Sequence, residues 1–141
     1  MKEIVFGLKD IKKVAKEVLQ YIGSCKVVTF SGPLGAGKTT LIREIFKQLG
    51  IKESVTSPTF TYMNVYRDKK GRTLYHFDLY RINDIKEFYL FGFDEFLFSE
   101  EGVSFIEWPE LLIPILKDNV CKIKIDYFQG DKRKLEIVGL Q

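Results

Sequence analysis

The sequence predicts a single α/β domain spanning residues 1–141, three layers deep around a mixed central sheet. Three observations predict it. Lys26-Val27-Val28-Thr29-Phe30 is a β-branched run that reads as a buried strand, and Leu41, Ile42, Ile45, Phe46 and Leu49 follow at helical spacing with Gly50 as a stop. Between them, Ser31-Gly-Pro-Leu-Gly-Ala-Gly-Lys-Thr-Thr40 fits the phosphate-loop pattern G-x-x-x-x-G-K-[ST] at Gly32, Gly37, Lys38 and Thr39. Finally, alternating segments flank the turns at Lys69–Gly71 and at Gln129-Gly130-Asp131-Lys132, so antiparallel hairpins join the parallel strands. Strand, glycine loop and helix in that order give the P-loop NTPase fold.

Each loop residue has a physical task. Gly32, Gly35 and Gly37 let the backbone curl so that successive N–H groups point at an anion. The amides of Leu34, Gly35, Ala36, Gly37, Lys38 and Thr39 would cradle the α- and β-phosphates at a helix N-terminus. Lys38 reaches the β- and γ-oxygens, the Thr39 hydroxyl is a magnesium ligand, and Thr40 bonds an α-phosphate oxygen. The ligand implied is a nucleoside triphosphate with Mg²⁺.

Taken in order, residues 3–6 read as a short edge strand, and Asp10 as the cap of a helix striped by Ile11, Val14, Ala15, Val18, Leu19 and Ile22 and ended by Gly23. Residues 51–59 are polar and rich in hydroxyls, with Pro58, and read as a loop. Strands from about Phe60 to Tyr66 and from about Thr73 to Leu79 form the first hairpin. Asp84 with Glu87 resembles a capping box. The aromatic segment Phe88–Phe98 reads as two short helices hinged at Gly92, with core preferred to a partner-binding face. Gly102–Trp108 is a buried strand ending in an acid, and Pro109 opens a helix through Leu116 that contains Pro114. Val120–Phe128 and Lys134–Leu140 form the last hairpin.

A phosphate loop needs a second acid at the end of a neighbouring strand. Glu107, after Val103-Ser104-Phe105-Ile106, is the better placed; Asp78 is the other, set among aromatic residues where a lone carboxylate is costly unless paired or metal-linked. A salt bridge from Asp78 to Arg81 is the plainer alternative. His76, the single histidine, is either a general base or a hydrogen-bonded structural group. Thr56, Ser57, Thr59 and Thr61 lie where a hydroxyl could bind the γ-phosphate or position water, although turn formation explains the same composition.

Net charge of +3, with the basic residues scattered, is too mild for a nucleic-acid binder and argues against DNA. Cys25 and Cys121 share no C-x-x-C spacing and read as two buried free thiols in preference to a disulfide or a metal site. No signal-type apolar segment or membrane-length stretch is present, which points to a soluble cytoplasmic protein.

The loop, Val55-Thr-Ser-Pro-Thr-Phe-Thr61, His76-Phe-Asp-Leu-Tyr-Arg81 and Ile106-Glu-Trp-Pro-Glu110 closely resemble, in that order, the bacterial TsaE (YjeE) proteins, small ATPases of tRNA threonylcarbamoyladenosine synthesis. The similarity runs from about Phe30 to Tyr127. The resemblance implies a P-loop fold, ATP and Mg²⁺ as ligands, and action on the TsaB–TsaD complex, which modifies the adenosine beside the tRNA anticodon; tRNA is met indirectly, through that complex. It carries Lys38 and Thr39 over as phosphate and Mg²⁺ ligands, Glu107 and Asp78 as metal-site acids, and Trp108 as the aromatic beside the nucleotide. Lys38, Asp78, Glu107 and Thr59 form the expected catalytic set, with Lys132 or Arg133 near the nucleotide. The rivals are a small-molecule kinase, for which an Arg-rich lid is missing, and a nucleotide-sensing module without hydrolysis. An Asn-Lys-x-Asp guanine motif is absent.

Overall fold

The computed structural model describes residues 1–58 and 60–140. Its strands are β1 (Lys2–Gly7), β2 (Val27–Ser31), β3 (Met63–Arg67), β4 (Thr73–Asp78), β5 (Val103–Glu107), β6 (Val120–Tyr127) and β7 (Lys132–Leu140). They form one sheet in the order β1-β7-β6-β2-β5-β4-β3. The β6-β2-β5-β4 centre is parallel, and antiparallel pairs flank it on both sides. A mixed sheet with a parallel core is what the sequence predicts.

Helices α1 (Ile11–Ile22) and α2 (Lys38–Gln48) cover one face, where Val28, Phe30, Phe46, Phe105 and Ile123 close-pack. The opposite face carries α3 (Ile85–Leu90) and α4 (Phe93–Leu97) over Val27, Phe77 and Ile106. Successive residues of a strand point to opposite faces, so β2 and β5 feed both layers and must be apolar throughout.

Local chemistry explains where elements start and stop. Asp84 opens α3 with its carboxylate accepting from the Lys86 N–H, and Gly92, at φ 76°, separates α3 from α4. Asp10 occupies the cap position of α1 but makes no side-chain cap bond. It ends a 3-10 turn (Leu8–Asp10), and its φ of −98° and ψ of 15° lie outside the extended geometry that folds a cap side chain back. The strand expected from Phe60 begins only at Met63, because Tyr62 sits at φ 65° and its N–H closes a turn onto the Pro58 carbonyl. After Pro109 no α-helix forms; a turn leads into a single 3-10 turn (Ile113–Ile115), since Pro114 removes a helical donor.

Two further expectations are corrected. The aromatic segment is only half core: Phe88, Phe93 and Leu97 are buried, whereas Leu90, Phe91 and Phe98 are exposed. Cys25 and Cys121 are not free thiols but are joined as a disulfide with a Cα–Cα distance of 6.2 Å. Strand β6 lies beside β2, with Cys121 paired to Val28, so residues 96 apart in sequence become neighbours.

The β3–β4 turn depends on one buried acid. Asp68 Oδ1 accepts from the Lys70 and Arg72 amides and Oδ2 from Arg72 Nε at 2.8 Å. Burial alone would raise its carboxyl, but these bonds, led by the Arg72 side chain, hold it below the ordinary value of 3.8. Stabilisation from a lowered carboxyl is complete above that value and disappears as pH falls through the folded-state one. Asp68→Ala is therefore expected to cost about 1–3 kcal/mol at pH 7. In urea melts across pH, its gap to the wild type should close in acid.

Candidate functional site

The site lies at the carboxyl ends of the parallel strands, where open α/β sheets bind ligands. β2 delivers the loop, β5 ends at Glu107 and β4 ends at Asp78; the register pairs Phe30 with Glu107 and Glu107 with Asp78. Three elements distant in sequence thus meet around a cleft of about 400 Å³. Its lining includes Gly35, Lys38, Thr39, Ser57, Asp78 and Glu107.

Glycine is obligatory at the base of the loop. Gly32 has φ 140°, and a Cβ there would overlap the Ile125 carbonyl of β6. Gly37, at φ 110°, occupies the cap position of α2 and brings no side chain to cap the helix N-terminus. The Ala36 N–H closes a turn onto the Pro33 carbonyl.

Glu107 is the hub. It is 2% exposed, its Oε1 accepts the Thr39 hydroxyl at 2.6 Å, and its Oε2 meets His76 Nε2 at 2.7 Å. Asp78 accepts from Ser57 Oγ at 3.1 Å and from the Tyr80 N–H at 3.0 Å. No Asp78–Arg81 salt bridge forms among the described residues; the Arg81 guanidinium lies 4.8 Å from the Phe60 ring centroid instead.

Lys38 Nζ donates to the Gly32 carbonyl and sits 3.3 Å from the centroid of Trp108. Desolvation pushes its ammonium below the usual 10.5, opposed by the charges of Glu107, Glu110 and Asp78. A negative charge held in the cleft would favour the ammonium form and offset that penalty. Trp108 holds its place over the lysine at φ 57°, a conformation rare for a bulky side chain, and packs 4.8 Å from Tyr80.

The other expected residues divide. Leu34, Gly37 and Thr40 line the same cleft. Arg133 Nε donates to the Ala36 carbonyl at 3.2 Å, whereas Lys132 lines an adjoining cleft beside Leu8 and Lys9. Thr56 is held through its backbone, its N–H facing the Tyr66 hydroxyl and its carbonyl accepting from Asn64, and it is not among the residues lining the cleft. The Thr61 hydroxyl also bonds Asn64. Thr59 lies outside the described residues.

Sequence reasoning missed two groups at the loop. Leu8 contributes to the cleft from the turn after β1. Tyr127 donates its hydroxyl to the Leu34 carbonyl at 2.7 Å while its ring stacks under Arg133 at 4.5 Å. The only sequence signal for that brace is a tyrosine and an arginine on opposite strands of the last hairpin, paired in register.

A glycine cradle at a helix N-terminus, a buried lysine and a threonine–glutamate pair at the strand ends define a P-loop NTPase-type α/β protein. Residues 7–135 match the family model described as "Threonylcarbamoyl adenosine biosynthesis protein TsaE". The chain belongs to the TsaE family. It is 37% identical to tRNA threonylcarbamoyladenosine biosynthesis protein TsaE of Aquifex aeolicus, over 97% of this chain and 96% of that one. The Bacillus subtilis protein of the same name is 36% identical over 94% of this chain and 81% of its own. Among solved structures, Bacillus subtilis YdiB superposes with a TM-score of 0.74 at 29% identity, covering 99% of this chain and 87% of that chain. Among the described residues no helix is long and apolar enough to cross a membrane.

Proposed function

We propose that this chain is the ATP-binding and ATP-hydrolysing component of the tRNA threonylcarbamoyladenosine machinery, acting on the TsaB–TsaD complex to support its turnover. The observation that carries the reading is the contact of Glu107 with Thr39 beside the glycine cradle. That juxtaposition assembles an acid, a hydroxyl and a run of amides around the space a triphosphate would fill.

The donors fit Mg²⁺ as well as ATP. A hydroxyl and a carboxylate are the hard oxygen ligands this ion prefers, and Gly32, Gly35 and Gly37 carry the loop through positive φ angles that side chains rarely adopt. Thr39 and Glu107 would hold the ion, with Asp78 across the register from Glu107. When bound, it neutralises charge on the β- and γ-phosphates. The chain's own residues do the rest. The loop amides and Lys38 bind and orient the phosphates, Trp108 and Tyr80 wall the cleft, and Asp78 fixes Ser57 near the γ-position.

The transition state of phosphoryl transfer needs positive charge beyond the loop lysine. Arg81 lines the cleft, but its guanidinium rests on Phe60, whose ring is 79% exposed. Turnover by the chain alone is therefore expected to be slow and to rise when the TsaB–TsaD complex docks. Phosphate release measured with and without the partners checks this; full turnover alone, unchanged by them, contradicts it.

A further inference from the structure

We propose that His76 is the positioning residue of this site: it locks the Glu107 carboxylate in the orientation that meets Thr39, and so sets the affinity for magnesium-bound nucleotide. The proposal rests on the reading of the cleft as a magnesium–nucleotide site.

His76 is wholly enclosed, 0% exposed, with the Phe46 ring 5.9 Å away edge-on and Phe105 opposite it on β5. It takes no part in the cleft wall, so it does not touch a bound nucleotide as a general base would. Its Nε2 lies 2.7 Å from Glu107 Oε2. A carboxylate only accepts, so the hydrogen sits on Nε2, and Nδ1 has no partner among the described residues.

A histidine kept for packing alone would leave a polar nitrogen stranded in an aromatic core for no return, when phenylalanine would fill the same space. The return lies in geometry. Glutamate has three rotatable bonds, and a carboxylate held at one oxygen can still swing about it. With Oε2 fixed by His76, Oε1 is directed at the Thr39 hydroxyl at 2.6 Å. Parallel pairing of β4 with β5 puts the histidine two residues before Asp78 and diagonal to Glu107. One strand end therefore supplies both the second acid and the brace for the first.

The test compares His76→Phe, which keeps the ring and loses the donor, with His76→Gln, whose amide restores a donor toward Glu107. Affinity for a non-hydrolysable ATP analogue is followed through the fluorescence of Trp108, the only tryptophan, with and without Mg²⁺. The gain in affinity brought by magnesium should fall about tenfold or more in H76F, as for other residues that orient a metal ligand. H76Q should recover most of it. If H76F melts below the assay temperature, His76→Asn, whose shorter amide stops short of Glu107, replaces it in the same comparison. An unchanged gain in the donor-less variant, or an equal loss in H76Q, overturns the role of His76. Absence of nucleotide affinity, or of any gain with magnesium, in the wild type overturns the reading of the cleft itself.

Discussion

Glu107→Gln is expected to lower partner-stimulated ATP turnover by about a hundredfold or more while leaving nucleotide bound. The amide is nearly isosteric. Its oxygen can accept from His76 Nε2 and its NH₂ can face the Thr39 hydroxyl, so the 2.6 Å and 2.7 Å contacts can persist with their polarity rearranged. What disappears is the negative charge, in a position that is 2% exposed and where low dielectric makes that charge count. Phosphate release at saturating ATP, with a thermal melt as the control for folding, reads the effect. A nucleotide-sensing module without physiological hydrolysis predicts undiminished support of tRNA modification by the same variant.

Gly32→Ala should both destabilise the fold and abolish nucleotide binding. At φ 140° an L side chain is strained, and its Cβ meets the backbone carbonyl of Ile125, not the movable tip of a side chain. Strand β6 is a direct neighbour of β2, so relief requires parting two central strands. Left-handed strain of about 1–2 kcal/mol and overpacking of about 1–3 kcal/mol add to roughly 2–5 kcal/mol. Calorimetric melting should show a drop of roughly 10 °C. Gly7→Ala is the matched control, since its Cβ meets nothing closer than 3.9 Å and the change should stay within about 0.5 kcal/mol.

The parts of this protein legible in its sequence are those encoded locally. Glycine spacing, a β-branched strand before it and an apolar helical stripe after it placed β2, the loop and α2 within a residue or two. Glu107 and Asp78 could be picked out because each closes an apolar run. Their meeting, however, follows from parallel registry across β2, β5 and β4, which no local pattern encodes. The same reason hid the pairing of His76 with Glu107, the Tyr127 and Arg133 brace on the loop, and the closeness of Cys25 to Cys121. The helix expected after Pro109 does not form for a local reason: Pro114, five residues on, removes a helical donor that the apolar periodicity does not register.

Aromatic content misled in another way. Phe91 and Phe98 follow the spacing of core residues, yet helices as short as α3 and α4 bury only one side, leaving those rings about half exposed. Tyr62 covers one of them, stacked on Phe91 at 5.5 Å, and it can do so because the chain turns sharply at that residue.

On the proposed function, Lys38 and the loop before it bind the phosphates of ATP. Calorimetric titration of Mg·ATP into wild type and Lys38→Ala tests it most directly. A single saturable site is expected in the wild type. In the variant, a loss of about 2–5 kcal/mol, roughly thirtyfold or more in affinity, is expected with an unchanged fold by circular dichroism. Equal binding by the two proteins would contradict it.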